Sequence, residues 1–179
     1  MFSLKTERLI LRDWRTTDVD DAQDYASDGD VSEFMVWGPN SRRETVDFIG
    51  EAIESSKLKP RRGFELAIEL QEESKVIGGI GLSIKDAVYS TGMIGYAVNK
   101  SYWRKGITTE AALALINFAF KDLDLHRVYA TCDTRNIGSQ KVLEKCGFRK
   151  EAHFVEDTHI KGAWRDSYLY AMLKREWLD

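Results

Sequence analysis

Residues 92–121 put an apolar strand, a short basic loop and a long apolar helix in direct series. That order constrains the chain more than any other feature. A strand that feeds a helix through a few loop residues needs a sheet for the helix to lie against. Residues 98–112 read VNKSYWRKGITTEAA. The helix that follows buries a face of Ala111, Ala112, Leu115 and Ala119, mostly small, so it can sit close to the sheet.

The loop has the chemistry of an anion site. The first N–H groups of a helix have no partner inside it and point outward, and the helix dipole adds positive charge there. A pyrophosphate can accept those N–H groups. Gly106 lets the backbone approach, Arg104 and Lys105 add charge, and Thr108 and Thr109 add hydroxyl donors. On this segment alone, an ordinary helix start after a glycine turn fits equally well. The spacing is neither that of a Walker loop nor that of the dinucleotide fingerprint.

The rest of the chain completes the sheet. Residues 6–14 read as a first strand, and residues 18–26 and 41–56 as helices. Ser41 with Glu44 has capping-box spacing. Residues 37–40 form a turn. Residues 64–70, 76–84 and 92–98 read as an antiparallel meander, with Phe64, Leu66, Ile68 and Leu70 on one face. Gly78, Gly79, Gly81 and Gly95 stand inside those strands, where glycine marks a bulge or a ligand's close approach. Residues 127–133 read as a strand, 136–146 as a helix, and 148–155 and 167–174 as closing strands. The expectation is an α/β (strictly α+β) fold in one domain spanning 1–179: a mixed, mostly antiparallel twisted sheet of about seven strands flanked by about four helices.

A second segment, residues 136–148, reads NIGSQKVLEKCGF. Asn136 is a good N-cap and Gly147 a helix stop. Ser139, Val142, Leu143 and Cys146 share one helix face. The serine is the odd member: it either bonds its own backbone or serves a ligand.

Composition excludes several classes. Charged residues are 31% of the chain and the net charge is −3, with no basic run interleaved with aromatics, which argues against a nucleic-acid partner. No stretch approaches a membrane span, and no signal-like apolar region opens the chain. His126, His153 and His159 form no metal-binding spacing, so no metal is expected. Cys132 and Cys146 read as buried thiols in a reducing cytoplasm.

Together, the TERLILR strand, GYAVNKSYWRKGITTEAA, NIGSQKVLEKCGF and the closing GAWRDSYLYAMLKREW resemble the GNAT superfamily of N-acetyltransferases, in particular its ribosomal-protein N-terminal acetyltransferase branch. The family's cradle, Gln/Arg-x-x-Gly-x-Gly/Ala, falls here on Trp103, Arg104, Lys105, Gly106, Ile107 and Thr108. The first and last positions depart from the consensus, so the cradle must work through its backbone. Many family members use a tyrosine as general acid seven residues after the asparagine; that position is Leu143.

The resemblance implies acetyl-CoA as cosubstrate, held by Tyr96, Ala97, Val98, Arg104 to Thr109, Asn136 and Ser139. It implies direct attack by a primary amine on the thioester. Ser139 is the candidate hydrogen-bond donor to the leaving thiolate. A backbone N–H near Tyr96 to Val98 would receive the carbonyl oxygen. A carboxylate must take the amine's proton, and the candidates are Glu65, Asp133, Glu156 and Asp166, with Glu156 taken as the catalytic choice. Trp37 and Trp164 are expected to wall the acceptor side. The acceptor is expected to be a peptide or protein α-amine. The alternatives are a small amine such as a polyamine, aminoglycoside or amino-acid derivative, or a non-catalytic acyl-CoA-binding module. Monomer and homodimer both fit.

Overall fold

A computed structural model describes residues 2–86, 88 and 90–178. Eight strands form one sheet in the order β1-β2-β3-β4-β5-β6-β8-β7, with six α-helices among the described residues. The strands are β1 (Ser3–Lys5), β2 (Leu9–Asp13), β3 (Gly63–Leu70), β4 (Lys75–Asp86), β5 (Thr91–Val98), β6 (Arg127–Asp133), β7 (Arg149–Ile160) and β8 (Ala163–Leu173). The helices are α1 (Val19–Ala26), α2 (Gly29–Ser32), α3 (Arg42–Ser56), α4 (Ile107–Lys121), α5 (Ile137–Lys145) and α6 (Lys174–Leu178). No described helix is long and apolar enough to cross a membrane.

The expected meander is present: β3, β4 and β5 pair antiparallel in sequence order. The long helix α4 carries the chain to β6, which pairs parallel with β5. Three expectations shift. The first strand, expected over 6–14, splits into β1 and β2. Thr6 makes the turn, its hydroxyl accepting from the Leu9 N–H at 2.9 Å. The closing strands are longer than their polar sequences suggest, though they meet at Lys161-Gly162 as expected, in a two-residue turn. Lys161 and Gly162 both have positive φ (50° and 82°), the geometry that matches the strand twist. The short helices α2 and α6 leave too few residues for a periodic signal, so the sequence shows neither.

The sheet buries both faces. On one face α4 and α5 pack over Leu11, Leu66, Ile68, Ile80, Leu82, Val128 and Ala130. Ala111, Ala112, Leu115 and Ala119 of α4 are all fully buried. On the other face α1 and α3 enclose Trp14, Tyr25, Ile49, Ala52, Ala67 and Val76. The Ser41–Glu44 capping box starts α3 as expected, with the Glu44 carboxylate accepting from Ser41 N–H at 2.7 Å.

Candidate active site

Strands β5 and β6 pair for only three residues, Thr91–Met93 against Arg127–Tyr129. From Ile94 onward, β5 has no strand partner on its β6 side. The two strands splay, and a cleft opens between them, lined by Phe34, Met35, Gly95, Tyr96, Cys132, Asp133, Asn136 and Ser139.

The basic loop lies between the end of β5 and the start of α4. Gly106 is the N-cap of α4 at φ 77°, a left-handed conformation that glycine adopts without strain, and no side chain caps the helix. The first intrahelical bond runs from Glu110 N–H to Gly106 C=O, 3.0 Å. The N–H groups of Ile107, Thr108 and Thr109 therefore lie ahead of the ladder and face outward. Arg104 also has positive φ, 61°. Trp103, at the position where the family consensus has an amide or a base, turns its indole N–H back to the Val98 carbonyl at 2.7 Å. It holds the strand end instead of facing a ligand.

Arg8 gives the cradle a brace that sequence reasoning missed. Its guanidinium donates to the Lys105 carbonyl at 3.0 Å and to Glu110 at 2.6 Å. Glu110 also accepts from Thr6 Oγ1 at 2.6 Å and from the Arg8 N–H at 2.9 Å. Burial pushes Glu110 up, but the Thr6 and Arg8 hydrogen bonds and the Arg8 charge outweigh it and hold the carboxyl below its usual range. No local pattern joins Arg8 to a residue 102 positions away.

At the far side of the splay, α5 begins. Asn136 caps it, its side-chain oxygen accepting from Ser139 N–H at 2.9 Å. The helix ends at Gly147 (φ 87°), where Gly147 N–H reaches Glu144 C=O and Phe148 N–H reaches Leu143 C=O, a Schellman stop. Ser139 Oγ lies 3.0 Å from the Tyr96 hydroxyl. Tyr96 thus reaches Ser139 from β5, while Leu143, at the position where many family members have a tyrosine, is fully buried. Burial raises the Tyr96 phenol, and the Ser139 hydrogen bond partly offsets that, so the phenol keeps its proton at neutral pH. Cys132 beside them is pushed up to about 11, chiefly by burial, and stays a thiol.

The candidate carboxylates occupy different settings. Asp133 is buried, which raises it, yet three hydrogen bonds from Arg135 (2.7–2.9 Å) hold it below the usual range. Asp166 accepts from the Glu156 N–H and pairs with His153, each at 3.0 Å. Glu156 lies on β7 where the ladder slips between Phe154 and Thr158, with φ 47° and an exposed side chain. Neither Glu156 nor Glu65 is among the residues that line the cleft. Glu65 lies on β3 across the sheet. Trp37 packs partly against the α1–α3 cluster, whereas Trp164 is 60% exposed and edge-on to His159. The β7–β8 tip reaches back to this region through Lys161 Nζ, which donates to Ser32 C=O at 2.5 Å.

The comparisons agree with this geometry. The acetyltransferase (GNAT) domain family matches residues 8–149. The chain is 32% identical over 174 residues to the uncharacterized N-acetyltransferase YnaD of Bacillus subtilis, covering 97% of this chain and 98% of that one. It superposes on a GNAT-family acetyltransferase from Bacillus anthracis with a TM-score of 0.86 at 30% identity, covering 97% and 99%. It also superposes on the ribosomal-protein-S5-alanine acetyltransferase of Vibrio fischeri with a TM-score of 0.82 at 26% identity, covering 99% of each chain. A splayed sheet, an uncapped helix start beside it and a match through both segments together make this chain an N-acetyltransferase of the GNAT family.

Proposed function

We propose that the chain moves the acetyl group of acetyl-CoA to a primary amine, and that the amine is the N-terminal α-amine of a peptide or protein. The observation that carries the reading is the Tyr96–Ser139 hydroxyl pair, set in the splay between β5 and β6. The residues present fit the cosubstrate. A Cβ on Gly106 would stand 3.5 Å from the Arg8 guanidinium, in the space that an anion above the helix start would use. Arg104, Lys105 and Gly106 and the N–H groups of Ile107, Thr108 and Thr109 would hold the pyrophosphate. The free edge of β5 at Tyr96, Ala97 and Val98 would bond the pantetheine arm as an added strand does. Asn136 spends its side-chain oxygen on the cap, which leaves its NH2 group for an amide of that arm. Bound there, acetyl-CoA supplies an acetyl group activated as a thioester.

Ser139 donates a hydrogen bond toward the leaving sulfur, and Tyr96 replenishes that proton through the 3.0 Å contact. A thiol of pKa near ~8.5 leaves readily enough that a hydroxyl pair suffices as acid. The acceptor enters between the segment carrying Phe34, Met35 and Trp37 and the β7–β8 hairpin carrying Trp164. The peptide assignment draws support from the Vibrio fischeri relative, whose name specifies a ribosomal-protein alanine as acceptor. The placement of Glu156 on an exposed bulge gives it less support as proton acceptor than its sequence position suggests.

A thiol-release assay across peptide α-amines and small amines tests the substrate. Turnover on peptides is expected, and transfer to small amines alone would reject the peptide reading. Tight acetyl-CoA binding with no transfer to any amine would show a binding module instead. Ser139→Ala is expected to lower turnover roughly 100-fold with acetyl-CoA affinity unchanged; unaltered turnover would remove Ser139 from the acid role.

A further inference from the structure

Across the face of the sheet that carries α1 and α3, three laterally paired positions are Glu65, Gly81 and Gly95, on β3, β4 and β5. The Glu65 carboxylate lies flat on Gly81: a Cβ there would stand 2.5 Å and 2.6 Å from its two oxygens. Gly95 is exposed, a Cβ on it would meet nothing within 4 Å, and it lines the splayed cleft. No side chain of β4 or β5 at these paired positions stands between the carboxylate and the cleft. The gap is about one strand spacing, ~4.8 Å, which an amine or a single water can bridge.

Among the described residues Glu65 forms no ion pair or hydrogen bond, unlike Asp133 and Asp166, whose oxygens are taken. The groups that face it are Tyr25 from α1 and Lys85 from β4. Trp14 completes this wall. It is 4% exposed, its ring edge lies over Gly79, and its Nε1–H has no partner among the described residues. The strand glycines thus serve an approach, as glycines inside strands often do.

The geometry points to Glu65 as the group that receives the acceptor ammonium over the Gly81–Gly95 floor and takes its proton. This rests on the acetyl-transfer reading above. Glu65 removes one proton from R–NH3+, and the freed nitrogen lone pair forms the N–C bond to the acetyl carbon. The C–S bond breaks and its electron pair leaves on sulfur. The nitrogen loses its second proton, sulfur gains one through Ser139, and Glu65 releases its proton to solvent. The sum is amide, CoA thiol and one proton. Burial raises the Glu65 carboxyl above its ordinary value, only partly offset by the Lys85 charge, which makes it a stronger proton acceptor than a free glutamate.

The test is the pH profile of kcat/KM for Glu65→Gln with a peptide acceptor, alongside acetyl-CoA affinity by calorimetry. At pH about 7 the loss is expected to be at least ~100-fold. It should shrink as pH rises past about 8, where an α-amine is already neutral. Acetyl-CoA affinity should stay within about twofold. A loss equal at every pH, or no loss, overturns the assignment. If Glu65→Gln does not fold, Gly81→Ala displaces the carboxylate and must give the same pH-dependent loss. Wild-type protein inactive on every amine would instead reject the acetyl-transfer reading itself.

Discussion

The two faces of the sheet are built on opposite principles. The face under α4 and α5 is a mostly apolar core; the Tyr96 and Ser139 hydroxyls meet at its splayed edge, and the Tyr170 hydroxyl reaches Glu144. The face under α1 and α3 mixes apolar packing with buried charge. Arg12, 5% exposed, holds Asp18 through two bonds at 2.8 Å and 2.9 Å and Glu69 through a third at 2.5 Å. An apolar face presents backbone donors to a ligand whose binding groups are phosphates and amides. A charged face receives a cation and manages its proton. On the proposed reading, the division of labour between cosubstrate and acceptor would be a division of dielectric environment across one sheet.

That contrast can be broken by measurement. Arg12→Ala removes the ion-pair partner of buried Asp18 and partly buried Glu69, and is expected to cost about 3–5 kcal/mol, read from the urea midpoint. Leu115→Ala on the apolar side removes fully buried methyls and is expected to cost about 2–5 kcal/mol. Replacing Arg12, Asp18 and Glu69 together by apolar residues should recover most of the Arg12→Ala loss, because no charge is then left without its partner. No recovery would erase the distinction. Tyr96→Phe should lower turnover roughly 10-fold, about the value of one hydrogen bond. Combined with Ser139→Ala it should add little, because the two hydroxyls act as a unit. Full additivity would separate them. Asn136→Ala removes a cap and is expected to cost about 1 kcal/mol, with weaker acetyl-CoA binding if its amide also holds the arm.

The smallest expected effect is a pH effect at the cradle. The folded-state pKa of Glu110 lies below its ordinary value. The tie to Arg8 therefore stabilises fully above the ordinary glutamate value of about 4.3 and is lost as pH falls through the lower folded value. Acetyl-CoA affinity should be flat from neutrality down to that range and then drop. In Glu110→Gln the drop should vanish.

The apolar face was the more legible one. The α4 pattern, the Asn136 cap, the Gly147 stop and the β3–β5 meander all follow from local periodicity and turn chemistry, and each stands where the sequence puts it. The charged face was only partly legible, because its meaning lies in lateral pairing. Glu65 stood out as a candidate carboxylate and Gly81 and Gly95 as odd strand glycines, but only the register sets the three side by side. The role of Tyr96 was half visible. Its backbone belonged to the expected cofactor edge, but its phenol meets Ser139 only because β5 and β6 part. The polar stretch 156–166 concealed the ends of two strands, since a hairpin that stands out from the core needs no apolar alternation.

The brace from Arg8 to the loop before α4 has a consequence for how the molecule assembles. The contact joins residues 97 positions apart, so the cradle cannot be complete until most of the chain between them has closed. Helix α4 can form early from local contacts, but its anion-binding end should mature late, after the first hairpin docks. During refolding, secondary structure should therefore return before the capacity to bind acetyl-CoA. Ligand added afterwards should slow amide exchange in β1 and β2 as well as in the loop it touches.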